Sequence, residues 1–447
     1  METSSPLLVG NGRLITRDDR QPLIEDGCVA IQDGLIVAVG TTAELQQSHP
    51  DARFIDAHGW LIMPGLINTH MHLYSTFARG IALKDDAPEN FAHILERLWW
   101  RLDKVLTLED VYLSAMVAMI DCIRNGTTTI FDHHSSPGAV AGSLFRIGEA
   151  AHQTGLRSCL CYEVTDREGA EIASLGIDEN RAFLKHCKQS EDSLLRGLFG
   201  LHASFTVSDR TMARSTQVAA ELDAGFHIHV AEAASDVAQC QREHGMRVVH
   251  RLHDLGVLGN RTIAAHCVHV DSSEIDRLQA SRTNVVHNPE SNMGNAVGCA
   301  PVLDMLRRGV RVGLGSDGYT CDMFESLKVA NMLHKHQSGQ PSAGWAEPPA
   351  MLFSENSVIA SACFGRSVGK LILGALADVI VVDYDPPTPM RVTNIDSHIL
   401  FGVSGRSVDT TIIGGQIVMR NRKLLGIDEQ EIMAKARVAA ARLWQRF

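Results

Sequence analysis

The stretch from Gly65 to Ser75, GLINTHMHLYS, ends a strand-like apolar run with two histidines that are two residues apart, His70 and His72. Side chains alternate between the two faces of a strand, so residues i and i+2 point the same way. His70 and His72 would therefore direct two imidazoles at one point, as two ligands of a metal ion do. A His-x-His pair alone is a weak motif, so the rest of the chain has to support or exclude a metal site.

The composition of the 447 residues, 45% hydrophobic and 21% charged, is that of a globular protein. The formal charge of -11 argues against nucleic acid or an anionic membrane as a partner. We see no secretory signal and no apolar run that could span a membrane, and therefore expect a cytoplasmic protein. Ten cysteines without a C-x-x-C pair fit reduced thiols. Any metal would then rely on histidines and carboxylates.

Eight strand candidates alternate with helical stretches in the middle of the chain. They cover residues 65–70, 127–132, 157–163, 197–202, 225–232, 262–266, 283–288 and 310–317. One helical stretch, 107–124, opens with a Thr107-x-x-Asp110 capping box and stops at Asn125-Gly126. Alternation of eight strands with helices predicts an α/β fold with a TIM-type (β/α)8 barrel. The competing doubly wound sheet would need a glycine-rich phosphate turn after its first strand, and this sequence has none.

The two ends of the chain share a different pattern, of short strands and tight turns. Glycine-containing pairs between the apolar runs predict hairpins. These pairs are Asn11-Gly12, Asp33-Gly34 and Gly414-Gly415. We therefore predict a small β-sandwich domain built from both ends of the chain. The predicted parts are residues 1–60 and 368–425 for the sandwich, 61–367 for the barrel and 426–447 for a C-terminal helix.

Nearly every strand candidate ends in a residue that can do chemistry. In chain order these residues are His70 and His72, Asp132 and His133, Glu163, His202, His229 with Glu232, His266, His287 and Asp317. All strand C-termini of a TIM barrel open onto one face, where active sites lie. Residues far apart in the sequence are therefore expected to meet in one site.

A catalytic zinc takes three or four histidine or carboxylate ligands and keeps a place for water. Such a set is available in His70, His72, His229 and Asp317. Asp317 could equally cap the helix that follows it. Strand parity does not choose between His227 and His229, although His229 lies nearer the rim and His227 is better placed in a packed inner layer.

Glu232, three residues beyond His229, is a rim carboxylate beside the expected metal and hence a candidate general acid or base. It could instead be the N-terminal charge of the next helix. His266 ends its strand and would point into the site, and His202 could meet substrate. A loop over the barrel mouth adds polar groups that either orient substrate and ligands or form a simple turn. These groups include His287, Asn288 and Asn292.

Five motifs, in this order and spacing, resemble the amidohydrolase superfamily in its cytosine-deaminase-like and chlorohydrolase-like branch. They are PGLINTHMH, HIHVAE, AAHCVH, HNPESNM and GLGSDG. The resemblance covers essentially the whole chain. Three further segments are similar to the SsnA-type aminohydrolases, a group found with purine-catabolic genes: LWWRLDK (98–104), DHHSSP (132–137) and SDGYTCDMFE (316–325).

The resemblance implies one divalent transition metal per chain, zinc or alternatively iron. The implied ligands are His70, His72, His229 and Asp317. Dinuclear relatives that resemble dihydropyrimidinases carry a carboxylated lysine at the end of the fourth strand. This chain has His202 there, which favours a single-metal site.

The implied reaction is hydrolytic release of ammonia from an aminated purine- or pyrimidine-like ring. Asp317 and His266 would take a proton from the attacking water, and Glu232 would protonate a ring nitrogen. The heterocycle would be oriented by His202, Asn288 and Asn292. Four residues would orient the ligands from behind, because a ligating imidazole usually donates its other N–H to a partner. These are Asp132, His133, His134 and His287.

Two alternatives stay open. One is a hydrolase of the same scaffold that cleaves a ring amide or another leaving group, as chlorohydrolases do. The other is a non-catalytic metal-binding scaffold, which predicts loss of Glu232, His266 or Asp317, and all three are present. Related deaminases often carry a lysine or arginine after the SNM triplet, where this chain has Gly294 and Asn295. The resemblance therefore does not identify S-adenosylhomocysteine or a triazine as the substrate of this chain. The expected partners are a heterocyclic small molecule and further copies of the chain.

Overall fold

The computed structural model describes residues 5–190 and 192–447. Its strands are β1 (Leu7–Ile15), β2 (Leu23–Gln32), β3 (Leu35–Thr41), β4 (Arg53–Asp56), β5 (Leu61–Pro64), β6 (Leu66–Met71), β7 (Thr127–His134), β8 (Arg157–Tyr162), β9 (Leu195–Gly197), β10 (Phe199–Ala203), β11 (Phe226–Val230), β12 (Ile263–His266), β13 (Asn284–His287), β14 (Val312–Leu314), β15 (Val379–Val382), β16 (Val408–Ile413), β17 (Gln416–Arg420) and β18 (Lys423–Leu424).

The α-helices are α1 (Thr42–Ser48), α2 (Phe91–Ile94), α3 (Trp100–Val105), α4 (Leu108–Arg124), α5 (Ser143–Thr154), α6 (Ala170–Gln189), α7 (Asp209–Glu221), α8 (Ala234–His244), α9 (Val248–Asp254), α10 (Ser272–Ser281), α11 (Pro289–Gly294), α12 (Val302–Arg307), α13 (Met323–Ser338), α14 (Glu347–Pro349), α15 (Asn356–Phe364), α16 (Ile395–Gly402) and α17 (Glu429–Arg446). A π-helical turn, Leu95–Trp99, joins α2 to α3. Within the described residues, no helix combines the length and the apolar character needed to cross a membrane.

All eight predicted strands of the central part are present, and they run parallel between helices as an α/β fold requires. They form two sheets, in the orders β6-β7-β8-β9 and β10-β11-β12-β13-β14. The fourth predicted strand is divided at Leu198 into β9 and β10, one in each sheet. Isolated parallel bridges link the two sheets at both seams, Met71 to Asp317 and Val164 to Leu201. The ladders therefore do not close into one continuous sheet.

Helix α4 shows how local sequence sets the element ends. The Thr107 side chain accepts from the backbone N–H of Asp110, and the Asp110 carboxylate accepts from the N–H of Thr107. This reciprocal capping box is the one that the sequence predicts. The helix ends at Asn125, and Gly126 follows with a φ of +78°. Gly126 leads directly into β7, so the helix returns the chain to the parallel sheet.

The two ends of the chain share a second sheet. Its order is β18-β17-β16-β15-β5-β1-β2-β3, and β4 pairs with β1. The antiparallel pair β5 and β15 joins the N-terminal strands to the C-terminal ones. The strand pairing thus gives one nine-stranded sheet and does not by itself define a sandwich. The predicted C-terminal helix is α17, and its Trp444 donates to the carbonyl of Phe77.

Two of the three predicted hairpin turns are confirmed. Asp33-Gly34 and Gly414-Gly415 each have positive φ at both residues, as a type I′ turn between strands requires. The prediction for Asn11-Gly12 is wrong, because both residues lie inside β1. Asn11 has a φ of +56°, and the pairing of β1 with β2 shifts register there. The positive φ produces a bulge that bends the strand without reversing it.

A buried ion pair connects the parallel strands to the sheet of the chain ends. Arg157, at the start of β8, contacts the carboxylate of Asp378 through Nε and Nη2, both at 2.9 Å. Both side chains are almost fully buried. Asp378 also accepts from the backbone N–H of Gly414 at 2.8 Å. One carboxylate thus holds together a parallel strand, the segment before β15 and the β16–β17 turn.

Candidate metal centre and active site

His70 and His72 project from the end of β6 toward the same point, as strand parity predicts. His70 Nδ1 lies 2.8 Å from Nε2 of His227, and His72 Nδ1 lies 2.5 Å from the carbonyl oxygen of His133. Each imidazole is therefore held through its outer nitrogen, which leaves Nε2 for the centre. His227 lies one layer below His229 and holds His70, so its packed position is the one that the sequence indicates.

His229 and Asp317 approach the same point from β11 and from the end of β14. His229 Nδ1 is 2.9 Å from the carbonyl oxygen of His202, and its Nε2 is 3.3 Å from Nε2 of His72. Asp317 Oδ1 is 2.9 Å from Nε2 of His72 and 3.7 Å from Nε2 of His70. Nε2 of His70 is buried and has no hydrogen-bond partner among the described residues. Three imidazoles and a carboxylate are the donor set that zinc takes in catalytic sites.

The ring of His133 lies closer to this centre than is expected of a residue that only orients the ligands from behind. It belongs to a group of four imidazoles that each bring one ring nitrogen within 4.8 Å of the others: His70, His72, His133 and His229. Its ring stacks on His227 with centroids 4.4 Å apart. Its Nδ1 is 3.4 Å from Nε2 of His229. His133 thus both orients His72 through its carbonyl and borders the centre with its own ring.

Asp132, another residue expected behind the ligands, contacts the backbone just after His72. Asp132 Oδ1 accepts from the N–H of Leu73, the residue after His72, at 2.8 Å. His134 instead lies 2.9 Å from Ser136 Oγ. Its side chain points away from the centre, because successive residues of β7, here His133 and His134, face opposite sides.

His287 also lies away from the ligands. It packs against His334, with ring centroids 5.1 Å apart. Neither of its ring nitrogens has a hydrogen-bond partner in the described part of the chain. The structure therefore gives it no ligand to orient, contrary to the expectation.

Glu232 and His266 stand beside the metal centre. Glu232 Oε2 is 3.6 Å from Nε2 of His266, and that nitrogen is 3.8 Å from Oδ2 of Asp317. Nδ1 of His266 is 2.9 Å from Oδ1 of Asn292. Glu232 Oε1 accepts from Nδ2 of Asn295 at 3.4 Å. Two carboxyl groups and one imidazole thus share a short path along which protons can move.

The two carboxyl groups are driven toward opposite protonation states. Burial and then repulsion from Asp317 raise the pKa of Glu232 well above its usual value. Burial opposes ionisation of Asp317 too, but the hydrogen bond to His72 and the attraction of that imidazole lower its pKa. Burial lowers the pKa of His266, which favours the neutral ring. A protonated Glu232 beside an ionised Asp317 separates a proton donor from an acceptor.

The backbone is strained where three of the parallel strands end. Ala231, His266 and Asp317 have φ values of +46°, +72° and +55°. Residues other than glycine rarely adopt this left-handed conformation, which costs on the order of 1–3 kcal/mol per residue. The three positions follow β11, end β12 and follow β14, so the strain lies where the chain carries the candidate site.

A cavity opens above the centre. Its floor includes His72, His229, Glu232 and Asp317, and His202 lines it as expected. Aromatic and apolar side chains form much of the wall: Tyr74, Phe91, Leu95, Trp99, Trp100, Phe205 and Tyr319. The sequence patterns indicate no role for these side chains or for the lining residues Asp103, Glu163, Asp236 and Asn295. Glu163 alone had a positional signal, since it ends a predicted strand.

Asn288 and Asn292 do not line the cavity, which differs from the expected substrate contact. Both are fully buried. Asn292 lies against Nδ1 of His266, and Asn288 Nδ2 is 3.5 Å from the same nitrogen. The loop predicted over the barrel mouth folds as the short helix α11, which turns these amides behind His266.

The sequence matches known proteins over nearly its whole length. Residues 61–418 match the amidohydrolase family model, and residues 27–52 match an imidazolonepropionase-like composite domain of bacteria. The chain belongs to the amidohydrolase family. It is 33% identical over 444 residues to the 5'-deoxyadenosine deaminase of Methanosarcina mazei, covering 98% of this chain and 99% of that one.

Two further relatives have related names. The 5-methylthioadenosine/S-adenosylhomocysteine deaminase of Pelotomaculum thermopropionicum is 33% identical over 445 residues, with 98% of this chain and 99% of the relative covered. Among solved structures, an adenosine deaminase from Xanthomonas campestris with bound zinc superposes with a TM-score of 0.87. It is 26% identical, and 98% of each chain is covered.

Proposed function

We propose that the protein is a metal-dependent aminohydrolase that removes an amino group from an N-heterocycle, purine- or pyrimidine-like. The observation that carries this is the convergence of three imidazole Nε2 atoms and one carboxylate at the floor of a largely aromatic cavity, with Glu232 beside them. Relatives named as deaminases of adenosine derivatives support a C–N bond as the target.

The residues that would hold the metal are His70, His72, His229 and Asp317. Their outer atoms are already fixed, and the buried Nε2 of His70 needs a partner that a divalent cation supplies. We propose one such ion per chain, zinc or alternatively iron. When bound, the ion would acidify a water molecule and so provide an oxygen nucleophile at neutral pH.

The chain's own residues would move the protons. Asp317 and His266 accept a proton from the attacking water at Oδ2 and Nε2. Glu232, protonated in the resting site, gives its proton to the ring nitrogen next to the carbon under attack. The proton taken from the water then passes from Asp317 or His266 to the exocyclic amine, which leaves as ammonia. The hydroxyl added to the ring returns its remaining proton to Glu232 and becomes a ring carbonyl. His202, which lines the cavity, would orient the heterocycle.

We also propose a division into domains, a cellular location and a set of partners. The two parallel sheets, bridged at both seams, would act as one (β/α)8 barrel over 61–367. The nine-stranded sheet would form the small domain from 1–60 and 368–425. The setting would be cytoplasmic purine catabolism, with a heterocyclic small molecule as partner, without nucleic acid or membrane, and with homo-oligomers as the assembly.

An ammonia-release assay tests the proposal. Metal-loaded wild type would be incubated with aminated purines, pterins, pyrimidines and triazines, and both ammonia and ring products would be measured. Release of ammonia from at least one heterocycle is expected. Ring opening, or release of another group without ammonia, would favour the alternative hydrolase of the same scaffold. Turnover of no heterocycle by metal-loaded protein would favour a non-catalytic metal-binding scaffold.

A further inference from the structure

The outer part of the active-site cavity is aromatic. Apart from His229 and Asp317 of the metal centre, the lining side chains that are partly exposed to solvent are all aromatic: Phe91, Trp99, Trp100, Phe205 and Tyr319. Tyr319 is the most open of them, with 45% of its surface exposed. A planar ring bound over the centre would therefore have its outer substituents against aromatic faces.

Apart from its histidines and tyrosines, the ionisable side chains that line the cavity are all carboxyl groups. Among the described residues of the lining there are five carboxyl side chains and no lysine or arginine. The carboxyl groups belong to Asp103, Glu163, Glu232, Asp236 and Asp317. Three of them, Asp103, Glu163 and Asp236, are not among the groups to which we assign a metal or a proton.

The guanidinium of Arg167 lies behind the wall and is paired through one nitrogen, since its Nε and Nη1 are buried without a hydrogen-bond partner among the described residues. Its Nη2 is 2.7 Å from Oδ2 of Asp103, and its Cζ is 4.7 Å from the ring centroid of Trp100. Its side chain is only 7% exposed. Trp100 and Asp103 line the cavity and Arg167 does not, so these two side chains lie between its charge and the cavity.

The lining also offers the carboxyl group of Glu163. Its Oε1 is buried, 3.3 Å from Nδ1 of His72 and 3.4 Å from Nδ1 of His133. Oε2 of the same carboxyl lies 3.9 Å from Nε2 of His202, which also lines the cavity. A ligand with N–H or O–H donors could bond this carboxyl group, whereas an anionic substituent offers it no donor.

We propose that this cavity selects heterocycles whose substituents away from the reacting amine are uncharged or cationic, and that it rejects phosphorylated or carboxylated counterparts. The proposal rests on the proposed function, because it concerns the substrate of the same site. An anionic substituent would lose its water against the aromatic faces of the outer cavity, whose described lining has no lysine or arginine to compensate, while the proposed metal ion would lie at the floor. Burying a charge without a partner is costly, so discrimination on the order of 100-fold or more is expected.

Binding measurements on a variant that does not turn over separate this proposal from the reaction itself. The metal-loaded Glu232→Gln protein would be titrated calorimetrically with three matched pairs. The pairs are adenosine and adenosine 5'-monophosphate, cytosine and cytosine-5-carboxylic acid, and pterin and pterin-6-carboxylic acid. We expect at least one uncharged member to bind about 100-fold more tightly than its anionic counterpart.

A cation placed in the wall should reverse the selection. Phe91→Lys, in the same background, is expected to reduce the ratio of affinities at least tenfold by improving the anionic member. Leu95→Lys is a second variant at the wall in case the first does not fold. Phe401→Lys adds the same charge at a side chain that is 66% exposed and does not line the cavity. It should leave the ratio unchanged.

Two results would overturn the proposal. One is an anionic member that binds within tenfold of its uncharged partner, and the other is failure of every uncharged member to bind. An equal effect of Phe401→Lys would show that the selection comes from the overall charge and not from the cavity. Loss of ammonia release in the separate assay, with the binding ratio intact, would refute the proposed function and leave the selectivity standing.

Discussion

At the scale of single residues, Glu232 is the group on which the proposed reaction depends most. Glu232→Gln keeps the size of the side chain but removes the transferable proton. We expect kcat to fall by about 10²–10⁴-fold, the usual contribution of a general acid or base, with metal content unchanged. Activity and metal analysis on the same preparation would check this.

The control for Glu232→Gln is Glu243→Gln, an exposed position on the neighbouring helix α8. It should behave as wild type. If Glu232→Gln lost the metal, Glu232 would be a ligand. Near-normal turnover would remove it from the mechanism, and a lower melting temperature with intact turnover would assign it to the start of α8.

The metal centre gives a second prediction at this scale. His229→Ala removes one of three converging imidazoles and should reduce bound metal from about one ion per chain to near zero, because the remaining donors no longer enclose the ion. His58→Ala, whose side chain is 64% exposed, is the matched control. Metal analysis by mass spectrometry would decide, and two ions per chain in the wild type would contradict the single-metal assignment.

Strand parity explains which of these residues could be predicted from the sequence. It places His70 and His72 on one face, but it treats His227 and His229 alike, since both project inward. His229 lies nearer the C-terminal end of β11 than His227 does. The sequence indicates this difference only through the order of the two residues along the strand. The position of Trp100 in the cavity wall could not be predicted from the sequence, because a cavity wall depends on how separate helices pack.

At the scale of elements, helix α11 holds the proton-transfer groups from behind. Ser291 donates to Asp317 Oδ2, and Asn292 contacts Nδ1 of His266. Asn292→Ala should lower kcat by roughly 10–100-fold with metal retained, because such orienting partners typically contribute that much. Met293→Ala, at a side chain 52% exposed on the same helix, serves as control. Unchanged turnover of Asn292→Ala would show that His266 needs no orientation from α11.

The ion pair between Arg157 and Asp378 joins β8 to the segment before β15. Asp378→Ala would leave a buried guanidinium without its partner, which typically costs about 3–5 kcal/mol. Chemical denaturation should show this loss of unfolding free energy. Asp385→Ala removes a carboxylate that is 80% exposed and paired with Arg13. It should have little effect, and equal stability of the two variants would refute the argument.

The elements themselves were largely predictable. The parallel strands are apolar runs bounded by turn residues, and α4 has a capping box, so local chemistry defines them. Two features were not predictable in this way. Asn11-Gly12 has the composition of a turn, but its pairing with β2 continues on both sides and makes a bulge. The segment after His287 contains Asn288-Pro289, which signals a turn, yet Pro289 begins α11, because proline is also compatible with the first position of a helix.

At the scale of the whole molecule, the two ends of the chain depend on each other. Deletion of residues 1–55 removes β1 to β3 and most of β4, and leaves β5 without its neighbour β1. We expect faster hydrogen exchange in the strands of 376–420, because the sheet that contains them loses one half. Hydrogen-exchange mass spectrometry would test this. Undiminished protection of those strands would show that the C-terminal strands are stable alone.

The left-handed backbone at Ala231, His266 and Asp317 has a consequence for attempts to make this enzyme more heat-resistant. Glycine would relieve the strain at each position, but at His266 and Asp317 it would also delete the side chain that the reaction uses. Directed evolution for thermal tolerance alone should therefore accumulate relaxed, inactive variants at these two positions. Selection that retains turnover would have to find its gains elsewhere, in loops and on the surface.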